Sequence, residues 1–367
     1  MSELFSPLEL RETTIPNRIT VSPMCQYSCD DRDGLPAEWH RVHLGSLAVG
    51  GAGLVISEAT AVEPQGRISP QDLGIWRDEH AQALSPITDF MREQGAVPAI
   101  QLAHAGRKAS TRRPWEGHGP LSPDEGGWEV VSPSGTPWPY DGEDAPPTRR
   151  LDQEGIEGVI ESFRAAARRA DEAGFEVAEV HAAHGYLIHQ FLSPVTNHRD
   201  DDYGGDFEGR TRLAREVTAA VREAFPDDKP VLVRISATDW LDDRESWTVD
   251  DSVRLADRLA AAGADLIDVS GGGIHPESSP AYAGPNYQVR FAERIREETE
   301  SGVGVGAVGG ITTAEQAEAV IANDRADLAI VGREHLRDPY FALRAAEKLD
   351  ATDEVSPPPQ HSRAFGF

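Results

Sequence analysis

From residue 180 the chain reads Val-His-Ala-Ala-His-Gly-Tyr-Leu-Ile-His-Gln-Phe-Leu-Ser-Pro, ending at residue 194. Two imidazoles, His181 and His184, and one phenol, Tyr186, fall within six residues, directly after an apolar-alternating run over 175–180. Imidazoles donate or accept hydrogen bonds and titrate near neutrality, and a phenol is a weak acid that acts when positioned. Such groups where a strand gives way to a loop suit polarisation of a bound oxygen and proton transfer. The same residues also read as a buried turn in which His184 and Tyr186 satisfy each other. A third reading gives His181, His184 and His189 to a metal, but the run lacks the His-Glu-x-x-His helix pattern and an evident fourth ligand, so no metal is expected.

The elements that must position this run follow from periodicity. Apolar runs predict strands over 18–22, 53–58, 97–102, 176–181, 230–236, 265–270, 303–308 and 327–331. Amphipathic stretches predict helices over 38–49, 79–94, 153–173, 208–224, 249–262, 287–299, 313–322 and 339–349. Eight such pairs with near-continuous apolar strands imply parallel pairing and a closed (β/α)8 TIM barrel of the α/β class. An open doubly wound sheet is the alternative, but no Gly-x-Gly-x-x-Gly follows the first strand. Residues 1–355 are thus expected to form one barrel domain. Residues 105–150, rich in Pro, Gly, Trp and acids, form a long excursion after the third strand, over the mouth, with too few apolar positions for a core of its own. Residues 356–367 carry Pro357, Pro358 and Pro359 and are expected to leave as an extended tail.

Composition narrows the function. Against 62 acidic residues stand 35 basic ones, a formal charge of −27, which repels nucleic acid and anionic lipid. That density exceeds what solubility requires and points to a halophilic protein screened by a salt-rich cytoplasm. Two cysteines, Cys25 and Cys29, are too few for a disulfide framework or a cysteine-ligated cluster and fit a reducing, cytoplasmic setting. No apolar run is long enough for a membrane span, and the start lacks the basic-then-apolar pattern of an export signal.

In a TIM barrel the active site lies at the C-terminal ends of the strands. There the sequence places Ser22, Pro23, Met24, Cys25, Gln26 and Tyr27 after the first strand, Glu58 and Ala59 after the second, and Gln101 and His104 after the third. The fourth contributes His181, His184 and Tyr186, the fifth Arg234, and the sixth Ser270 with three glycines. Gly309-Gly310 and Gly332-Arg333 follow the last two strands, where backbone N–H groups at helix starts bind phosphate in such barrels.

These residues resemble the old yellow enzyme family of FMN-dependent ene-reductases, in particular its thermophilic-like branch with the bacterial xenobiotic reductases. The resemblance spans essentially the whole chain. It is carried by Pro16-Asn17-Arg18, Ser22 through Tyr27, Glu58-Ala59, Asp72 through Trp76, Gln101 through Lys108, His181 through Pro194, Tyr203-Gly204-Gly205 and Val331 through Glu334. It implies FMN at the mouth, its phosphate at Gly309, Gly310, Gly332 and Arg333. Arg234 would face the N1/O2 edge of the ring and Gln101 its pyrimidine, with Ser22, Pro23, Met24, Cys25 and Ala59 around it. It further implies NADPH or NADH as hydride donor and reduction of the activated C=C bond of an α,β-unsaturated carbonyl compound. His181 and His184 would hold the carbonyl oxygen, Tyr186 would protonate the α-carbon, Tyr27 would line the substrate site and Cys25 would tune the flavin. It also implies a homodimer or dimer-based tetramer in which Arg363 enters the neighbour's site, and the tail's Phe365 and Phe367 would be exposed rings unless a partner covered them.

Three departures stand out. Asp206-Phe207-Glu208-Gly209-Arg210 replaces Ser-x-Glu-Asn-Arg at a helix start, the excursion is longer than in bacterial relatives, and Ala-Phe-Gly-Phe follows Arg363. Other electrophiles, such as a nitro compound, a quinone or another xenobiotic, are alternative acceptors, and a non-catalytic flavin binder or a flavin-free barrel isomerase are alternative functions.

Overall fold

The computed structural model describes residues 2–117 and 119–365. Eight parallel strands close into a barrel: Ile19–Val21, Leu54–Ala61, Val97–Ala103, Val177–Ala182, Val231–Ser236, Leu266–Ser270, Gly304–Val308 and Leu328–Val331. The eighth pairs with the first, Ala329 opposite Ile19, and the fourth with the fifth, His181 opposite Arg234. The predicted helices are all present, several within one residue of the predicted bounds, as with Val249–Ala261 and Gln153–Glu172. In Gln153–Glu172 the buried positions Ile156, Val159, Phe163, Ala166, Ala167 and Ala170 recur at helical spacing, so one face packs on the barrel. Asp152 caps its start by accepting from the Gly155 N–H, and Asp206 caps Phe207–Ala224 by accepting from Gly209. The departure at Asp206 is therefore a working helix cap.

Period two along the strands sorts the interior into levels. Val177, Leu232 and Leu266 join Leu54, Ile56, Ala99 and Leu328 in an apolar cluster at the lower end. An antiparallel hairpin, Leu8–Leu10 with Thr13–Ile15, packs Ile15 into that cluster and closes the bottom. Two residues further along each strand stand polar side chains: Gln101, Glu179, Arg234 and Asp268, each 4% exposed or less. Above them lie His181 and Ser270. The apolar floor supplies packing, and the upper levels are reserved for polar work.

Three parts depart from expectation. Residues 187–192, read as loop, form a helical turn and a half, all of it buried. The excursion contains a short parallel pair, Val130–Ser132 with Thr148–Arg150, and packs Ala105, Ala109 and Val130 against Tyr27 and Ile68. Strands of three residues are too short to register as a period, which is why the sequence hid them. The tail is extended only to Pro358. It then turns at Pro359–His361 and lays Phe365 on Tyr340, ring centroids 6.0 Å apart, so that ring is covered within its own chain. Phe367 lies outside the described residues. No helix among the described residues is long and apolar enough to cross a membrane.

Candidate functional site

The fourth strand ends in a strained turn. His184 has φ +58° and Gly185 +72°. A Cβ on Gly185 would meet the Gly273 carbonyl oxygen at 2.1 Å, so glycine is required there, while His184 carries the cost of the left-handed region itself. What holds the turn is buried beneath it. His189 Nδ1 accepts from the Gly185 N–H at 2.8 Å, and its Nε2 lies 2.9 Å from Asp239 Oδ1. Both nitrogens of His189 are thus engaged, which removes it from the three-histidine metal reading.

The turn aims two rings at one point. His181 Nε2 and His184 Nδ1 face each other across 3.4 Å, and the Tyr186 ring stands edge-on to His181 with centroids 5.1 Å apart. Tyr186 and His184 do not satisfy each other: His184 Nε2 bonds the Ser270 Oγ at 2.7 Å, and Ser270 Oγ also accepts from Gln288 Nε2 at 3.3 Å. With Gln288 donating to it, Ser270 Oγ can in turn donate to His184 Nε2, the arrangement that leaves the His184 ring proton on Nδ1. Burial, and then the charge of Arg234, holds both imidazoles well below their ordinary pKa, so both are neutral. At 3.4 Å the two ring nitrogens are within hydrogen-bond reach of each other, and both face the space where a bound oxygen could accept from them. Burial raises the Tyr186 phenol well above its usual value, which keeps its proton in place.

One wall of this space is the first-strand loop. Tyr27 is buried with φ +50°, and Cys25, Tyr27 and Tyr186 pack together under the excursion. Burial, then Asp72 and Glu58, pushes the Cys25 thiol up. The loop is fixed from below by Glu58, whose Oε2 accepts from the Gln26 N–H at 2.6 Å while Oε1 lies 3.1 Å from His40 Nε2. A register shift between Ile56 and Ala59 puts Glu58 where it can reach that loop. The opposite wall is Lys108, one of three lysines in the chain. Its Nζ donates to the carbonyls of His184 and Gly273 at 2.8 and 3.1 Å and lies over the rings of Trp138 and Tyr186. Burial brings its pKa down to about 7.

A cavity of about 480 Å3 opens beside Ser270 and Gln288, lined by Ser22, Met24, Gly309, Gly310, Gly332 and Arg333. Gly309 and Gly310 have φ of +124° and +74°, and a Cβ on either would strike Gln288 or the Gly284 carbonyl. A Cβ on Gly332 would project toward Ser22 and Met24. Arg333 is exposed at the rim with no ion-pair partner among the described residues. At the floor Arg234 Nη1 donates to Ser22 Oγ at 3.0 Å, with its Nε 3.4 Å from Asp268 Oδ2, and Gln101 Nε2 donates to Glu179 Oε1 at 2.8 Å. A glycine-lined cleft with an exposed cation, Arg333, in its lining and a buried one, Arg234, bonded to its Ser22 fits a phosphate-bearing planar cofactor such as FMN.

Of the residues singled out in the sequence, the structure gathers Ser22, Pro23, Met24, Cys25, Tyr27, Ala59, Gln101, His181, His184, Tyr186, Arg234, Gly309, Gly310, Gly332 and Arg333 at the barrel's C-terminal end. It does not bring in Arg363, which is exposed on the tail with no contact to His181, His184 or Tyr186 among the described residues. His104 is structural, its Nε2 bonded to Glu63 Oε1 at 2.7 Å and its Nδ1 accepting from the Gly106 N–H. Lys108, Ser270, Gln288, Glu179 and Asp268 were given no role from sequence. Ser270 was read only as the end of the sixth strand and Lys108 only as the last residue of a family motif.

Comparison with known proteins agrees with this geometry. A profile of the NADH:flavin oxidoreductase / NADH oxidase family matches residues 3–352. The NADPH dehydrogenase of Listeria monocytogenes serotype 4a is 47% identical over 365 residues, covering 100% of both chains. Among solved structures, the old yellow enzyme homologue from Zymomonas mobilis superposes with a TM-score of 0.78 at 26% identity over 99% of each chain. Morphinone reductase does so with 0.77 at 29% identity, over 98% of this chain and 92% of its own. A full-length match to such dehydrogenases, on a barrel with this cleft, makes the chain a member of the NADH:flavin oxidoreductase / NADH oxidase family, an FMN-dependent oxidoreductase of the old yellow enzyme kind that uses a reduced nicotinamide.

Proposed function

We propose that this enzyme reduces the activated C=C bond of α,β-unsaturated carbonyl compounds. The observation that carries the reading is the pair of neutral imidazoles facing across 3.4 Å, with the Tyr186 ring against His181. When bound, FMN supplies the hydride it has received from the nicotinamide. His181 and His184 donate to the substrate's carbonyl oxygen and draw electron density from the alkene, which makes the β-carbon more electrophilic. Because both rings are neutral, they donate without transferring a proton to that oxygen. Tyr186 holds its proton at Oη for the α-carbon. Gly309, Gly310, Gly332 and Arg333 would hold the FMN phosphate, Gln101 and Arg234 the pyrimidine edge, and Ser22, Pro23, Met24, Cys25 and Ala59 the rest of the ring. Tyr27 and Lys108 narrow the substrate entrance.

Two further features belong to the proposal. The working unit is a homodimer, or a tetramer built from dimers, that places Arg363 of one chain in the other's site. Support comes from Trp39 and Val42, each 54% exposed on one helix, and from Tyr340, which lines a cavity with Val42 and carries the tail. The protein works in a salt-rich cytoplasm, as its charge of −27 indicates.

The test is anaerobic spectroscopy of the purified protein. NADPH or NADH should bleach the flavin band, and cyclohexenone should restore it. Restoration only by a quinone or a nitro compound would move the reading to those electrophiles.

A further inference from the structure

The barrel interior holds an unbalanced charge cluster below the histidines. Glu179 and Asp268 are both fully buried on neighbouring faces of the fourth and sixth strands. Their carboxyl groups are hydrogen-bonded to each other, and both are raised, first by burial and Glu179 the more strongly. One cation, Arg234, faces them, 5% exposed and 3.4 Å from Asp268. Two carboxylates against one guanidinium, away from water, leave an uncompensated buried negative charge, which proteins avoid by protonation. Hydrogen bonding points the same way. Glu179 Oε2 and both oxygens of Asp268 find no N–H or hydroxyl donor among the described residues. Carboxyl oxygens that touch each other and lack any other donor require a proton between them.

We propose that Glu179 and Asp268 share one proton, with Glu179 the neutral acid donating from Oε2 to the Asp268 carboxylate, and that this pair sets the charge and amide orientation presented to the flavin's pyrimidine edge. Glu179 Oε1 is then a carbonyl oxygen that can only accept, which fixes Gln101 with Nε2 inward at 2.8 Å and its own Oε1 turned away from Glu179. The Asp268 charge, lying on the Nε side of Arg234, tempers the cation that would otherwise favour the anionic reduced ring more strongly. Glu179 and Asp268 are positioning residues. The inference rests on the proposed placement of Arg234 and Gln101 at that edge.

The test reads the holoenzyme's infrared spectrum and flavin potential. Wild type minus Glu179→Gln should contain the C=O band of a protonated carboxylic acid, with the potential unchanged, because a neutral group replaces a neutral group. The double variant Glu179→Gln/Asp268→Asn should favour the reduced flavin roughly tenfold more, ~30 mV for a two-electron couple. Asp268→Asn alone serves if the first variant folds poorly: the remaining carboxyl should ionise against Arg234, so the acid band disappears and the potential holds. A raised potential in Glu179→Gln alone, or an acid band that survives in either single variant, overturns the shared proton. Arg234→Gln separates the two readings. An unchanged potential there overturns the placement on which the inference rests, whereas a lowered one leaves the pair variants to decide the inference itself.

Discussion

The chemistry of this site rests on the tautomer of one ring. Ser270 Oγ lies 2.7 Å from His184 Nε2, and when it donates there the remaining ring proton faces His181 and any oxygen held between them. Replacing His181 or His184 by Ala removes one of two aligned donors, and alkene reduction should slow by on the order of 10²-fold, with weaker enone binding. FMN should stay bound, since its proposed contacts lie in the other cleft. Rapid-reaction measurement of the oxidative half-reaction checks this, and an undiminished rate in both variants would remove the pair from the mechanism. Lys108 belongs to the same scale. With its pKa brought down to about 7 by burial, it sits against an aromatic pair and the His184 carbonyl and can lose its charge near neutrality.

Among elements, the excursion is decisive, because it forms one wall of the site yet has little core of its own. Its first turn is anchored by His104, which bonds Glu63 and the Gly106 N–H and whose carbonyl accepts from Leu187. Burial alone would raise the Glu63 carboxyl, but the hydrogen bond from His104, with those from Gln65 and Ser162, overcomes it and holds the group at about 2. A carboxyl depressed from its ordinary 4.5 contributes stability that is complete above about that pH and is lost as pH falls toward 2. Acid unfolding should therefore steepen in that window, and Glu63→Gln should flatten it while lowering stability at neutral pH. Urea midpoints measured across the window test the sign, and an identical pH profile in the variant would show that the clamp contributes nothing.

For the whole molecule, net charge governs. Many acidic residues lie at the surface, Asp200 at 93% and Asp324 at 83% side-chain exposure among them, in ion pairs that contribute about 0–1 kcal/mol each. Such pairs cannot offset a formal charge of −27. Molar salt, with a screening length of about 3 Å, can. Melting temperature and FMN retention should both rise from dilute buffer to molar KCl, and equal melting in the two would refute the salt requirement. Assembly is the second question at this scale. Deleting the residues after Gln360 should raise the substrate KM while leaving FMN bound. Mixing that deletion with a chain carrying His181→Ala and His184→Ala should recover activity once subunits exchange, since one site then combines intact histidines with a neighbour's Arg363. Confirmed heterodimers without recovery would confine the tail to its own chain.

The amino-acid order by itself determined the barrel, because strand and helix periods are local: Val231–Ser236 and Val249–Ala261 each lie within a residue of where alternation and amphipathic spacing put them. It also determined which end carries the chemistry, since His181, Arg234 and Gly309-Gly310 each sit at or near the C-terminal end of a strand. What it left open depended on partners distant in the chain. Glu179 and Asp268 look like two more acids among 62 until the barrel buries them 89 residues apart around one arginine. Ser270 reads as an ordinary strand end until folding brings it within 2.7 Å of His184 Nε2, 86 residues away. The hairpin that plugs the floor, the three-residue strands of the excursion and the turn of the tail onto Tyr340 are too short for a period and exist through contacts alone. Local spacing specifies elements, whereas charge state, tautomer and closure are set by which groups burial brings within reach.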